Sequence, residues 1–300
     1  MTIIHSIEEL SALTGPVHLA IGVFDGVHPG HQAVIHSALR TEGTGVVVTF
    51  DPHPEQILRP KTRPLLLTST RHKIAILSSL GVERLLVQRF DGLFSRTPAE
   101  EFVKRLQTAC RPLGSVAVGR DWTFGHRGLG NIGLLRKLGV TVHAVQPVII
   151  DREIVSSTRI REAVLIGDLM RAARLLGRRY TVLGRVVAGD QVGHELGFPT
   201  ANLAVESEQL PPNGVYAVQV RSNHQSLFGV ANLGLRPTID PNGTDRRLEV
   251  HLFDFNREIY GEDLEVDFRS FLRSQEKFES LEALRAKIAE DVAAARRLLA

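Results

Sequence analysis

From Val17 to about Gln146, short apolar runs alternate with stretches of helical period, and this rhythm predicts an α/β domain. The apolar runs at 17–22, 46–50, 84–87, 115–119 and 140–145 read as strands. Helical patterns fill 31–40, 70–80, 98–110 and 132–138. The third helix carries a start signal: Thr97 as N-cap, Pro98 at N1 and Glu100 at N3 spell a capping box. Five strands joined by helical crossovers imply a doubly wound parallel sheet with right-handed connections, whose ligands bind beyond the carboxyl ends of the strands.

After Tyr180 the helical period disappears. Runs at 181–188, 214–220, 227–232, 248–253 and 263–271 read as strands, separated by Gly189-Asp190, Pro211-Pro212-Asn213-Gly214 and Pro241-Asn242-Gly243. Short strands at this spacing predict a small antiparallel β-barrel. A terminal helix follows, with Ser280 as N-cap and Leu284, Ile288 and Val292 on one stripe. Between the two patterns, residues 168–179 form an arginine-rich helical connector capped by Asp168. The expectation is two domains, 1–179 and 180–300.

Composition narrows the class. With 43% hydrophobic and 23% charged residues the chain is ordinary globular protein. A net charge of +3, with the basic residues spread along the chain, suits anionic small substrates and argues against nucleic acid. Cys110, the single cysteine, falls in a predicted helix and fits inert packing in a reducing cytoplasm. Met1–Leu10 has no basic leader followed by an apolar stretch, and no run approaches membrane-spanning length, so a soluble cytoplasmic protein is expected.

Candidate chemistry sits at the predicted strand ends. Gly22-Val23-Phe24-Asp25-Gly26-Val27-His28-Pro29-Gly30-His31 joins the first strand to its helix. Glycine lets backbone approach a ligand closely, and a helix N-terminus favours phosphate, to which both histidines could donate. A plain Gly-rich turn with two surface histidines would share the pattern, and no carboxylate or cysteine stands at metal-ligand spacing nearby. Asp51-Pro52-His53-Pro54 reads as a rigid turn. The 119–131 loop holds Asp121, Trp122, Phe124, Gly125 and Arg127, a set for either a pocket taking a flat ring and a charged group or aromatics packed underneath. In Ser156-Ser157-Thr158-Arg159-Ile160-Arg161, Ser157 or Thr158 is a natural N-cap, and the first turn would present N–H groups beside Arg161. In the second domain, Gly193-His194-Glu195-Leu196-Gly197-Phe198-Pro199-Thr200-Ala201-Asn202 places Thr200 and Asn202 on one side of an extended chain. There they offer hard oxygens to Mg²⁺, or else they form a turn and an edge strand. Alternation puts Glu249 and His251 opposite Leu248, Val250 and Leu252.

These motifs together resemble the bacterial bifunctional riboflavin kinase/FAD synthetases. The first loop and the Ser-Ser-Thr-x-Ile-Arg segment resemble the paired motifs of HxGH nucleotidyltransferases, and Gly-Phe-Pro-Thr-Ala-Asn resembles the riboflavin kinase motif. Ile259-Tyr260-Gly261 and Gln275-Glu276-Lys277-Phe278 extend the likeness, so it runs over nearly the whole chain. His194 stands where the family usually has Arg, and Gly128 where it often has Arg. The resemblance implies a Rossmann-like N-terminal domain that adenylylates FMN to FAD and a barrel that phosphorylates riboflavin, both using ATP and Mg²⁺. It implies nucleotide binding by Gly22, Phe24, Asp25, Gly26, Gly30, Ser156, Ser157, Thr158 and Arg161, with His28 and His31 catalytic. Asp121, Trp122, Phe124, Gly125 and Arg127 would form a flavin or phosphate loop. Gly193, Gly197, Pro199, Thr200 and Asn202 would bind the kinase nucleotide, Thr200 and Asn202 would hold Mg²⁺, and Glu249 would be the general base. Two rivals stand beside this: an adenylyltransferase for another phosphate with a noncatalytic barrel, and a flavin-sensing regulator. Substrates are expected as the partners, with no nucleic acid or membrane and with a homo-oligomer left open.

Overall fold

A computed structural model describes residues 1–189, 196–206, 208–222, 225–235 and 246–300. They form two compact units, Met1–Ile160 with Leu175–Gly177, and Arg161–Arg174 with Arg178–Ala300.

In the first unit, β1 (Thr2–Ile4), β2 (Val17–Ile21), β3 (Thr44–Asp51), β4 (Arg84–Arg89), β5 (Leu113–Gly119) and β6 (Val142–Val145) form one sheet. Its order is β1-β4-β3-β2-β5-β6, and every pairing is parallel. Successive residues of these strands feed opposite faces, and both faces are covered. Leu19, Ile21, Val46, Val48, Val116 and Val118 join one core, with Phe102, Val103 and Leu106 of α4 (Ala99–Ala109) and Leu135 of α5 (Ile132–Lys137). Ala20, Val47 and Ala117 join the other, with Val34, Ile35 and Ala38 of α1 (Pro29–Leu39) and Ile76 and Leu77 of α3 (Thr70–Ser79). Two-sided burial is why the strands read as continuous apolar runs rather than alternating ones. Chain order reverses at β2, which lies between β3 and β5, so the loop leaving β2 opens at the switch point of the sheet.

The five expected strands and four expected helices are present. β1, the short α2 (Pro54–Leu58) and the hairpin of β7 (Ile149–Ile150) and β8 (Glu153–Ile154) were not expected; each is five residues or fewer, too short to carry a period. The capping box at Thr97 is not formed. Pro98 is the N-cap of α4 and makes no side-chain cap bond. Thr97 instead closes a turn, its N–H bonding Phe94 and its carbonyl accepting from His126. α6 (Ser157–Leu165) is capped one residue earlier than expected, Ser156 Oγ accepting from Arg159 N at 3.4 Å. The connector helix α7 (Leu169–Leu176) is capped by Asp168, as expected, but ends before Arg178.

The second unit is a closed antiparallel barrel of β9 (Thr181–Val187), β10 (Ala201–Val205), β11 (Gly214–Arg221), β12 (Ser226–Leu235), β13 (Arg246–Leu252) and β14 (Asp263–Arg273), ordered β10-β13-β12-β11-β14-β9. β10 pairs with both β9 and β13, so the edge-strand alternative for the Thr200–Asn202 segment is wrong. The terminal helix α8 (Leu281–Leu299) is capped by Ser280, whose Oγ accepts from Ala283 N at 3.1 Å. Its Ala295, Val292 and Leu299 pack on Val215, Ala217, Val230 and Phe253 of the barrel. Arg273 of β14 fastens it further, through a two-pronged ion pair to the buried Asp291.

Candidate active sites

The β2–α1 loop is built on a strained backbone. Gly22 closes β2, its N–H bonding the carbonyl of Val48. Phe24 (φ 52°), Gly26 (φ 80°) and Val27 (φ 44°) all take left-handed conformations, which non-glycine residues adopt at a cost. Burial holds the two side chains in place, Phe24 being 1% exposed and Val27 0%. Asp25, also buried, accepts from Leu67 N (2.8 Å) and Thr68 N (3.1 Å), and Gly26 N donates to Thr68 Oγ1 (3.1 Å). Lys73 Nζ donates to the Val23 carbonyl at 2.7 Å. Asp25 therefore shapes the loop from beneath.

His28 caps α1, its Nδ1 accepting from His31 N at 3.3 Å. A neutral imidazole that accepts at Nδ1 carries its proton on Nε2, so the outward nitrogen is a donor. The two imidazoles stack, centroids 3.6 Å apart and planes 19° from parallel, and Phe24 meets His31 edge-on at 5.4 Å. Gly30 lies between them in the first helical turn. Ser157 Oγ donates to the Asp25 carbonyl (2.9 Å), so the start of α6 reaches this same loop although far downstream in sequence. Ser156 and Thr158 flank it, whereas Arg161 falls in the second unit. His53, the residue of the rigid turn, caps α2 by accepting from Glu55 N.

In the 119–131 loop the aromatics pack on one another. Trp122 stacks on Phe124 at 4.7 Å; Phe124 is buried against Phe102 in the core, and the half-buried Trp122 packs against that core from its edge. Gly125 is locked against Ala99, while Asp121 and the left-handed Arg127 (φ 57°) are exposed.

In the barrel, Glu249 stands opposite Asn202 across β10–β13 and opposite Asn232 across β12–β13. Directly opposed residues bring their side chains close together. A cavity of about 350 Å³ lies over this spot. Its apolar wall includes Leu196, Phe198, Phe278 and Ile288, and its polar wall includes Thr200, Asn202 and Glu249. Thr200 and Asn202 also line a second cavity of about 420 Å³, with Gly189, Asn256, Arg257 and Tyr260. Asn202 Oδ1 is buried and has no hydrogen-bond partner among the described residues. Such an oxygen suits a cation. Among the described residues there is no cluster of three His, Cys, Asp or Glu side chains. Gly197 makes a turn (φ 82°), Pro199 follows it, and Gly193 and His194 lie outside the described residues.

Sequence reading missed several neighbours. Arg247 pairs with Glu249 at 3.1 Å, and the alternation that picked Glu249 points to it as well. His251, which the alternation did place beside Glu249, donates from Nδ1–H to the Pro199 carbonyl (2.9 Å), a contact the sequence did not show, pinning the chain just before Thr200. Lys73, Thr49 and Thr68 had no sequence signal, because their partners Val23, Asp25 and Gly26 lie far from them along the chain.

Comparison with known proteins accords with this division. Residues 11–159 match the family described as FAD synthetase, and residues 176–299 the family described as riboflavin kinase. The bifunctional riboflavin kinase/FMN adenylyltransferase of Haemophilus influenzae is 36% identical, covering 99% of this chain and 98% of its own length. That of Pseudomonas fluorescens is 40% identical, covering 93% and 92%. A Streptococcus pneumoniae crystal structure, described as a macrolide-efflux protein, superposes with a TM-score of 0.80 at 31% identity over 98% of both chains. No helix among the described residues here is long and apolar enough to cross a membrane. The chain belongs to the bifunctional riboflavin kinase/FMN adenylyltransferase family.

Proposed function

We propose that the family's two reactions are divided between the two sites just described. The chain converts riboflavin to FMN and FMN to FAD, and the question is which residues do each. The observation that carries the kinase assignment is the register of Glu249 with Asn202, at the junction of two cavities that share Thr200 and Asn202. Riboflavin's flat ring suits the apolar walls of the first cavity, and MgATP suits the second. The terminal ribityl hydroxyl then attacks the γ-phosphorus, the bond to the β-phosphate oxygen breaks, and Glu249 takes the proton. Bound Mg²⁺ supplies charge neutralisation at the phosphates. Asn202 Oδ1 and the Thr200 hydroxyl would hold it, and Gly197 and Pro199 shape their approach.

In the first unit, an FMN phosphate oxygen attacks the α-phosphorus of ATP and pyrophosphate leaves. The nucleophile is already anionic, so no base is required; positioning and charge stabilisation carry the rate. His28 Nε2–H, His31 and the α1 N-terminus supply the donors. Gly22, Phe24, Asp25, Gly26 and Gly30 fix their geometry. The first turn of α6, with Ser156, Ser157 and Thr158, completes the phosphate site. Trp122, Phe124 and Gly125 hold the neighbouring loop in shape, leaving Asp121 and Arg127 at its surface to meet flavin or phosphate. The protein works in the cytoplasm on small molecules alone; the weak, dispersed basic charge supports this.

Separating the flavins after incubation with riboflavin, Mg²⁺ and ATP tests the division. His31→Ala abolishes FAD while FMN formation stays nearly intact, and Glu249→Ala abolishes FMN formation. Equal damage to both activities by each change contradicts the assignment.

A further inference from the structure

Lys73 is a buried cation that neither reaction uses directly. It sits in the first turn of α3, 3% exposed, within a helix that otherwise packs Ile76 and Leu77 into the core. Its Nζ donates to the Val23 carbonyl (2.7 Å) and to Thr49 Oγ1 (3.3 Å), and Thr49 Oγ1 donates to that same carbonyl (2.9 Å). Asp25 and Asp51 act on the ammonium from the ends of β2 and β3.

The bonded carbonyl is well placed to matter. Val23 immediately precedes Phe24, the first of the left-handed residues in the β2–α1 loop, and the Phe24 ring packs edge-on against His31. Left-handed backbone at Phe24 and Val27 persists only where surrounding contacts over-determine it. Burying an ammonium is costly, and an apolar side chain would fill the same space without that cost. A hydrogen-bonding clamp on the Val23 carbonyl gives the buried charge a task that packing does not. We propose that Lys73 is a positioning residue for adenylyl transfer, clamping the Val23 carbonyl together with Thr49 so that the strained loop presents His28 and His31 to the α-phosphate. The inference rests on the reading of that loop as the adenylyl-transfer site. Lys73 acts through backbone and touches no substrate.

The test uses the full-length protein, with kinase activity as the measure of intact enzyme and thermal unfolding of the N-terminal unit confirming that it is folded. Lys73→Met lowers kcat for FAD formation from FMN by about 30- to 100-fold, the scale expected for a misplacement of about 1 Å. KM for ATP changes by less than about threefold, because transition-state contacts are lost rather than ground-state binding. FMN formation stays within about twofold of the unaltered protein. Thr49→Val removes the second donor without touching the charge and lowers the same kcat by about 5- to 10-fold. Full kcat in Lys73→Met, or a rise in KM at unchanged kcat, overturns the inference. Should Lys73→Met lose both activities through misfolding, Thr49→Val decides, and an unchanged kcat there overturns it equally. His28→Ala is run alongside. If it keeps FAD formation, the reading of the loop itself fails; if it loses FAD formation while Lys73→Met does not, only the clamp fails.

Discussion

Burial pushes the Cys110 thiol up to about 11. At pH 8 about one molecule in a thousand carries the reactive thiolate, so the native protein resists alkylation that the denatured chain undergoes readily. Prompt modification of native protein by iodoacetamide at that pH contradicts the packing role read from its helical position. The strand position of Glu249 was legible from a period of two, which needs only neighbouring residues, whereas its role as base came from the family resemblance alone. Lys73 was not legible. Its importance comes from Val23 and Thr49, fifty and twenty-four positions away, and no local pattern encodes such a pairing. Asp25 was marked by motif resemblance alone; what the sequence did not show is that its buried carboxylate accepts from Leu67 and Thr68, residues more than forty positions away.

Elements with a sustained period were readable, and their ends less so. α8 was placed with its cap, and Ser280→Ala costs about 1 kcal/mol of barrel stability, measurable by denaturant unfolding. The Thr97 capping box failed because the Thr97 N–H that the box needs closes a turn onto Phe94, while its carbonyl ties that turn to the 119–131 loop, a tertiary demand that overrides local grammar. β10 looked like an edge because its barrel partners, β9 and β13, lie on opposite sides of it in sequence. Closure also fixes what the strand can tolerate. A Cβ on Gly189 would stand 1.9 Å from Asn202 Nδ2, so Gly189→Ala displaces Asn202. The expected result is a loss of FMN formation of about tenfold or more, with FAD formation from FMN unchanged. Equal loss of both would place the damage in folding instead.

At the scale of the whole molecule, the change of pattern near residue 180 revealed two architectures, while the exact division needed the structure, since residues 161–174 group with the second unit. Stability carries a signature of the first unit's buried cation. Burial holds the Lys73 ammonium below its ordinary value, with Asp25 and Asp51 opposing the shift. Between its folded and unfolded values the unfolded chain binds more protons. Stability from this group is therefore full above about 10.5 and is lost as pH falls through the folded value. Lys73→Met removes that slope, and comparing the two proteins' unfolding free energies across alkaline pH reads it directly. The most direct measurement of the central claim is complementation between variants. Neither His31→Ala nor Glu249→Ala alone makes FAD from riboflavin and MgATP. Mixed in one tube, they should restore FAD, because FMN released by the first variant's barrel is adenylylated by the second variant's N-terminal unit. A mixture that stays silent, with FMN accumulating or absent, contradicts the account of two separable sites.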